Sequence, residues 1–248
     1  MIRAMVQFMA CRFKGADYKL DPDLQLSAIA SVAIRRIFGL LRCVVFGIKL
    51  SLDVRQLVFV GPNVRLRNKS LVEIGGGVTL GEGVVIDGLS RRGVKLSDGV
   101  SIGPYTIIEA TGVISNLGVG CSIGKNSGIG AFSFIGAAGG VWIGNDVIMG
   151  QRVSFHSENH CFERTDIPIR LQGTTRQGIT LEDDCWVGAN VVFLDGSHLG
   201  RGCVVAAGAV VRGTFPPYSV LGGVPARLIR SRLPETEHRS RDQKPNKY

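Results

Sequence analysis

Two of the chain's four histidines, His156 and His160, stand four residues apart in the stretch HSENHCFERTDIPIRLQGTTRQG, residues 156–178. An imidazole can take a proton near neutral pH, its ordinary pKa being about 6.5. As a general base it contributes about 10²–10⁴-fold to a rate. Spacing alone leaves either histidine open to that role. A zinc enzyme would need three protein ligands and an open position. No histidine precedes this pair, and His198 and His238 lie well beyond it, so no metal is expected. The six cysteines, at 11, 43, 121, 161, 185 and 203, include no CxxC pair. That spacing speaks against a zinc ribbon or a dithiol redox site and reads as reduced thiols. Far downstream, Arg227 and Arg230 open a basic tail of the kind that suits phosphate.

These groups need a scaffold, and the chain's repeats describe one. Glycine contributes 34 of 248 residues, about twice the usual share of roughly 7%. From Val60 onward, bulky apolar residues recur every six positions. They run Ile74, Leu80, Ile86; Leu96, Ile102, Ile108; Leu117, Ile123, Ile129, Ile135; Ile143, Met149, Phe155; and Leu181, Val187, Phe193, Leu199, Val205, Val211. Two residues before most of them stands a small or β-branched one, such as Val78, Val100, Thr106, Cys121, Ser127, Cys185 or Cys203. Period two within short strands and period six between them define an inward stack turning at glycine-rich corners. Three six-residue units close one triangular coil, and only stacked coils bury a core. About six coils at roughly 4.8 Å give a prism near 29 Å long. Cys121, Cys185 and Cys203 then serve as small hydrophobes of the stack, and His198 faces outward.

The period breaks around Arg91-Arg92, after Ile108 and Ile135, and most widely between Phe155 and Leu181. That last break extrudes a loop at about 157–178, and a loop of about 20 residues in a compact solenoid is usually functional. The chain therefore divides into a helical segment over 1–57, a repeat over 58–215 and a C-terminal segment with a basic tail over 216–248.

Net charge is +9, and residues 1–60 hold nine Lys/Arg against four Asp. This balance favours anionic partners. No nucleic-acid motif accompanies it, so nucleic acid is not an expected partner. Residues 24–50, LQLSAIASVAIRRIFGLLRCVVFGIKL, read as a basic amphipathic helix. Its longest uncharged run, eleven residues, is too short to span a bilayer. It suits either a peripheral membrane contact or packing against protein. No secretory-signal order stands at the N-terminus, so the expected location is cytoplasmic, at the inner membrane face if the helix lies on lipid.

The stretch from His156 through DDCWVGAN and VVAAGAVV to GVPAR resembles the hexapeptide-repeat acetyltransferases, most nearly the O-acetyltransferases of polysaccharide synthesis. The resemblance covers residues 60–230. It implies an all-β fold, a left-handed parallel β-helix, and an active site between the prisms of a homotrimer. By the family's pattern His160 is the catalytic base, and the amide of Ala189 stabilises the oxyanion. Acetyl-CoA runs along Trp186, Gly188, Ala189 and Ala207 toward Arg227 and Arg230. Where relatives commonly have Thr-Lys, this chain has Arg212-Gly213, which alters the cofactor contact there. Glu158, Asn159, Arg164 and Gln172 are the expected contacts of the acceptor, a saccharide that is lipid-linked if the helix lies on a membrane. The competing readings are an N-acetyltransferase acting on an amino-sugar nucleotide and a non-catalytic β-helix scaffold.

Overall fold

A computed structural model describes residues 6, 7, 11, 19–47, 53 and 56–234. From Phe59 the chain winds as a left-handed parallel β-helix with three faces. The first face begins with Phe59–Val60, includes Gly128–Ile129, Ile148–Met149, Trp186–Val187 and Val204–Val205, and ends with Ser219–Gly223 and Ala226–Ser231. The second runs from Arg65–Arg67 through Phe134–Gly136, Ser154–His156 and Val192–Leu194 to Val210–Val211. The third runs from Val72–Ile74 through Cys121–Ile123, Val141–Ile143, Ile179–Leu181 and His198–Leu199 to Thr214–Phe215. Seven strands on each of the second and third faces make seven coils, one more than the sequence estimate.

Register explains the period. On the second face Ile108, Ile135, Phe155, Phe193 and Val211 pair as direct neighbours in adjacent coils. All five side chains are fully buried. Phe155 and Phe193 stack with ring centroids 4.7 Å apart. The small second position is buried too, and its hydroxyls are satisfied by backbone. Ser127 Oγ donates to the Gly144 carbonyl at 2.7 Å, and Ser197 Oγ to that of Val211 at 2.9 Å. Cys121, Cys185 and Cys203 are buried as expected. Burial pushes the Cys121 thiol up to about 12, and a hydrogen bond with Cys203 together with burial pushes Cys185 up.

One reading of the repeat needs correction. Leu117 is part-exposed and lies outside the stack, because Ile108 is followed by an insertion and the third face resumes only at Cys121–Ile123, with Cys121 and Ile123 inward. The corner glycines serve in two ways: Gly83, Gly99, Gly202 and Gly208 adopt positive φ as expected, whereas others are needed for close approach. Gly103 and Gly188 do not adopt positive φ; a Cβ on either would sit 2.5 Å from the backbone nitrogen of Ala131 or Ala207 in the next coil. Close approach is what excludes a side chain there. Positive φ falls two residues later, on Gly83 and Gly202 in some coils and on Tyr105, Phe132, Arg152 and Asn190 in others.

At the N-terminal end the helix Leu26–Val45 packs Ile29, Gly39 and Cys43 inward, with Gly39 against Phe59 and Val60. Arg36 lies 4.2 Å from the Phe59 ring centroid and donates to Thr79 Oγ1 at 3.0 Å. The helix is shorter than the 24–50 span; residues 48–50 and most of 1–18 lie outside the described residues. At the other end the first face continues past 215. Ser219–Gly223 pairs parallel with Val204–Val205, and Ala226–Ser231 folds back antiparallel onto it.

Candidate active site

Every insertion leaves the prism at the same corner, where the second face passes to the third. Residues 88–93, 110–120 and 157–178 all connect a second-face strand to a third-face strand. Stacked along one edge, they form a continuous wall. The Arg91 and Arg92 amides donate to the carbonyls of Gly118 and Val119, both at 2.9 Å.

The longest insertion is held at its neck from both sides. On entry, Ser157 is buried; its hydroxyl donates to the Gly136 carbonyl at 2.8 Å and accepts from the Gly139 amide at 2.9 Å. On exit, the buried carboxylate of Asp195 accepts from the amides of Gln177 and Gly178 at 2.8–3.0 Å. Trp142 fills the space over Gly140 and Gly178, where any Cβ would collide with its ring. Between these anchors Asn159–His160 pairs antiparallel with Thr174–Thr175. That short ribbon presents His160 to solvent, with no side-chain hydrogen bond among the described residues. His156 is also exposed, at the end of its strand, with its ring 5.8 Å from that of Phe134.

The expected acceptor contacts turn out to be partly engaged within the loop. Glu158 is bound by Arg176, whose Nε and Nη2 both lie 2.6 Å from the carboxylate. Arg176 also donates to Asn116 Oδ1 and to the Leu117 carbonyl, each at 3.1 Å, tying two insertions together. Gln172 accepts from the Arg164 amide and donates to the carbonyls of Arg164 and Ile167, so it staples the loop. Arg164 pairs with Asp166 and holds that carboxyl below its ordinary range. A lowered carboxyl pKa means this exposed pairing is present at neutral pH and is lost as pH falls through the folded value. Asn159 stays exposed beside His160.

Arg176, Asp195, Ser157 and Trp142 were not identified from sequence. Replacing Arg176 with alanine is expected to loosen residues 157–178 while leaving the prism's melting temperature nearly unchanged. Amide exchange should rise across the loop, and turnover should fall about tenfold or more through lost positioning. Lysine should restore little, because a point charge cannot fork between Glu158 and the 116–117 backbone. Unchanged exchange in the alanine variant would remove the clamp from the account.

The expected cofactor residues fall into four places. Trp186 and Arg230 share a groove of about 520 Å³ on the first face, lined also by Asp146, Asp184, Val204 and Arg232. Gly188, Ala189 and Ala207 stack at the corner between the first and second faces. The Ala189 amide has no acceptor among the described residues, and Pro62 and Pro104 hold the same corner position in earlier coils. An N–H at this corner is therefore not needed by the ladder. Arg227 lies on the antiparallel strand beside Gly222. Arg212 does not join this set: it follows Val210–Val211 at the opposite end of the second face, on the loop edge. Ala189 precedes the strand Val192–Leu194, whereas His156, paired with Leu194, ends its own strand before the His160 loop. The two corners are thus separated by the length of one face, on the order of 15 Å at roughly 3.3 Å per residue. Among the described residues no group of His, Cys, Asp and Glu could hold a metal ion.

Comparison with known proteins adds to this geometry. The family model described as bacterial transferase hexapeptide (six repeats) matches residues 178–213. A Mycobacterium tuberculosis protein named as an acetyltransferase is 36% identical over 90 residues, 36% of this chain and 30% of that protein. An Escherichia coli protein named as a lipopolysaccharide biosynthesis O-acetyl transferase is 27% identical over 179 residues, 69% of this chain and 78% of its own length. The chain thus spans less than a third of the first relative and over three quarters of the second. A solved Vibrio cholerae hexapeptide-repeat acetyltransferase in complex with acetyl coenzyme A is 21% identical, covering 91% of this chain and 98% of that one, with a TM-score of 0.48.

Proposed function

We propose that this chain, a β-helix matched by the hexapeptide transferase model over residues 178–213 and similar to a lipopolysaccharide O-acetyl transferase, transfers the acetyl group of acetyl-CoA to a hydroxyl of a saccharide, with His160 as general base. The observation that carries the reading is His160 itself: an exposed imidazole on a ribbon whose neck is anchored at both ends.

Acetyl-CoA supplies a thioester whose acyl carbon accepts an oxygen nucleophile. His160 takes the proton of the acceptor hydroxyl as that oxygen bonds to the acyl carbon, and returns it to the departing thiolate as the C–S bond breaks. The Ala189 amide, left without an acceptor among the described residues, is a fixed donor for charge gathering on the carbonyl oxygen, which needs no reorganisation as the charge develops. Trp186 offers an exposed ring along the first face, and Arg230 sits in the same groove, where a guanidinium suits phosphate. His160 and Ala189 occupy opposite ends of one face, so a homotrimer supports the chemistry best: one protomer's loop reaches the cofactor corner of its neighbour. In surface-polysaccharide synthesis the acceptor would be a growing or lipid-linked saccharide.

The test is acceptor-dependent release of CoA from acetyl-CoA, across saccharides, lipid-linked saccharides and amino-sugar nucleotides. Release with a hydroxyl acceptor is the expected result. Release only with an amine acceptor would move the reaction to N-acetylation, and absence of acetyl-CoA binding would leave a scaffold.

A further inference from the structure

We propose that the helix Leu26–Val45 docks this protein on an anionic lipid surface, through the side it turns away from the prism. The helix is apolar on two sides. One, with Ile29, Gly39 and Cys43, is buried against the first coil. On the other, Ile34, Ile37, Phe38, Leu41, Val44 and Val45 are each 53% to 85% exposed. With 3.6 residues per turn these six fall within one stripe about 120° wide. Scattered exposed apolar residues need no explanation, but a continuous stripe marks a surface that something covers.

Charge identifies the occupant. The helix holds no Asp or Glu, and its cations are Arg35, Arg36 and Arg42. Arg36 turns inward to Phe59 and Thr79. At 100° per residue, Arg35 and Arg42 both fall along one margin of the apolar stripe. Insertion of apolar side chains to the depth of the acyl boundary, with arginines at the level of headgroup phosphates, matches that layout. A second copy of the same helix would bring the stripe no acid to meet those arginines. No described helix is long and apolar enough to cross a membrane, so the contact lies in the plane of the interface.

The experiment is flotation of the full chain with phosphatidylcholine vesicles, with and without phosphatidylglycerol. It includes an Ile37→Asp/Leu41→Asp variant and an Arg35→Gln/Arg42→Gln variant, with oligomeric state and melting followed for each. The wild type should float with the anionic vesicles only, and less as salt is raised. Loss of the two arginines should weaken partitioning about tenfold or more, near one factor of several per charge. The aspartate pair should abolish it while leaving melting and oligomeric state unchanged, since both side chains are exposed. No flotation with phosphatidylglycerol, or equal flotation with phosphatidylcholine alone, would overturn the proposal. So would a change of oligomeric state in the aspartate variant, which would make the stripe an interface between copies. None of these readouts depends on acetyl transfer.

Discussion

His160→Ala is expected to lower acetyl transfer by about 10²–10⁴-fold, the usual contribution of a positioned general base, with acetyl-CoA binding retained. The imidazole has no side-chain hydrogen bond among the described residues and is exposed, so its removal should not disturb folding. It also projects from the far end of the second face from Ala189, and Trp186 lies on another face altogether. Cofactor affinity measured by calorimetry should therefore stay near wild type while turnover collapses. His156→Ala should keep most activity, because that ring packs against Phe134 at the strand end rather than standing on the ribbon. Should the pattern invert, His156 would be the base and the ribbon a support.

The largest effect on stability is expected from Phe155→Ala, a loss of about 3–5 kcal/mol, or about two to four orders of magnitude in the folded-to-unfolded ratio. Phe155 is fully buried at mid-prism, between Ile135 and Phe193 in the neighbouring coils, and it stacks on Phe193. The backbone ladder fixes the coil spacing, so the walls cannot close on the cavity. Urea unfolding at fixed protein concentration measures the loss, because subunit association would otherwise shift the midpoint. A loss below about 1 kcal/mol would mean that the column relaxes around the gap. In a solenoid, coils contact only their neighbours, so amide exchange should rise first on either side of this coil.

Much of the architecture was legible because the inward column repeats at a strict interval. Val187, Phe193 and Leu199 sit where the period places them, one on each successive face. Leu117 failed because an apolar residue inside an insertion can fall in phase by chance. The stop at Phe215 failed for a different reason: Phe215 follows Val211 by four positions instead of six, so the interval is broken there, although Leu221 lies six positions further on and points into the core. Of the candidate site, the extruded loop that carries His160 was visible, and so was the outward face of Trp186. The clamp was not. Arg176 meets Glu158 across 18 residues and Asn116 across 60, and Asp195 holds amides 17 and 18 positions earlier. Such pairs follow from which corner each insertion leaves, and hydrophobic spacing carries no record of that.

A pile of parallel strands has no natural length, since its last layer offers the same bare N–H and C=O groups as its first. The strand spacing is that of a cross-β fibril, and identical ends would invite molecules to add on to one another. On the first face this chain carries its own terminators: a helix laid over Phe59–Val60 and a reversed strand, Ala226–Ser231, laid along Ser219–Gly223. Neither offers the bare parallel edge that a further coil would extend. These two pieces count the layers, and they let a motif that could polymerise remain a molecule of fixed size.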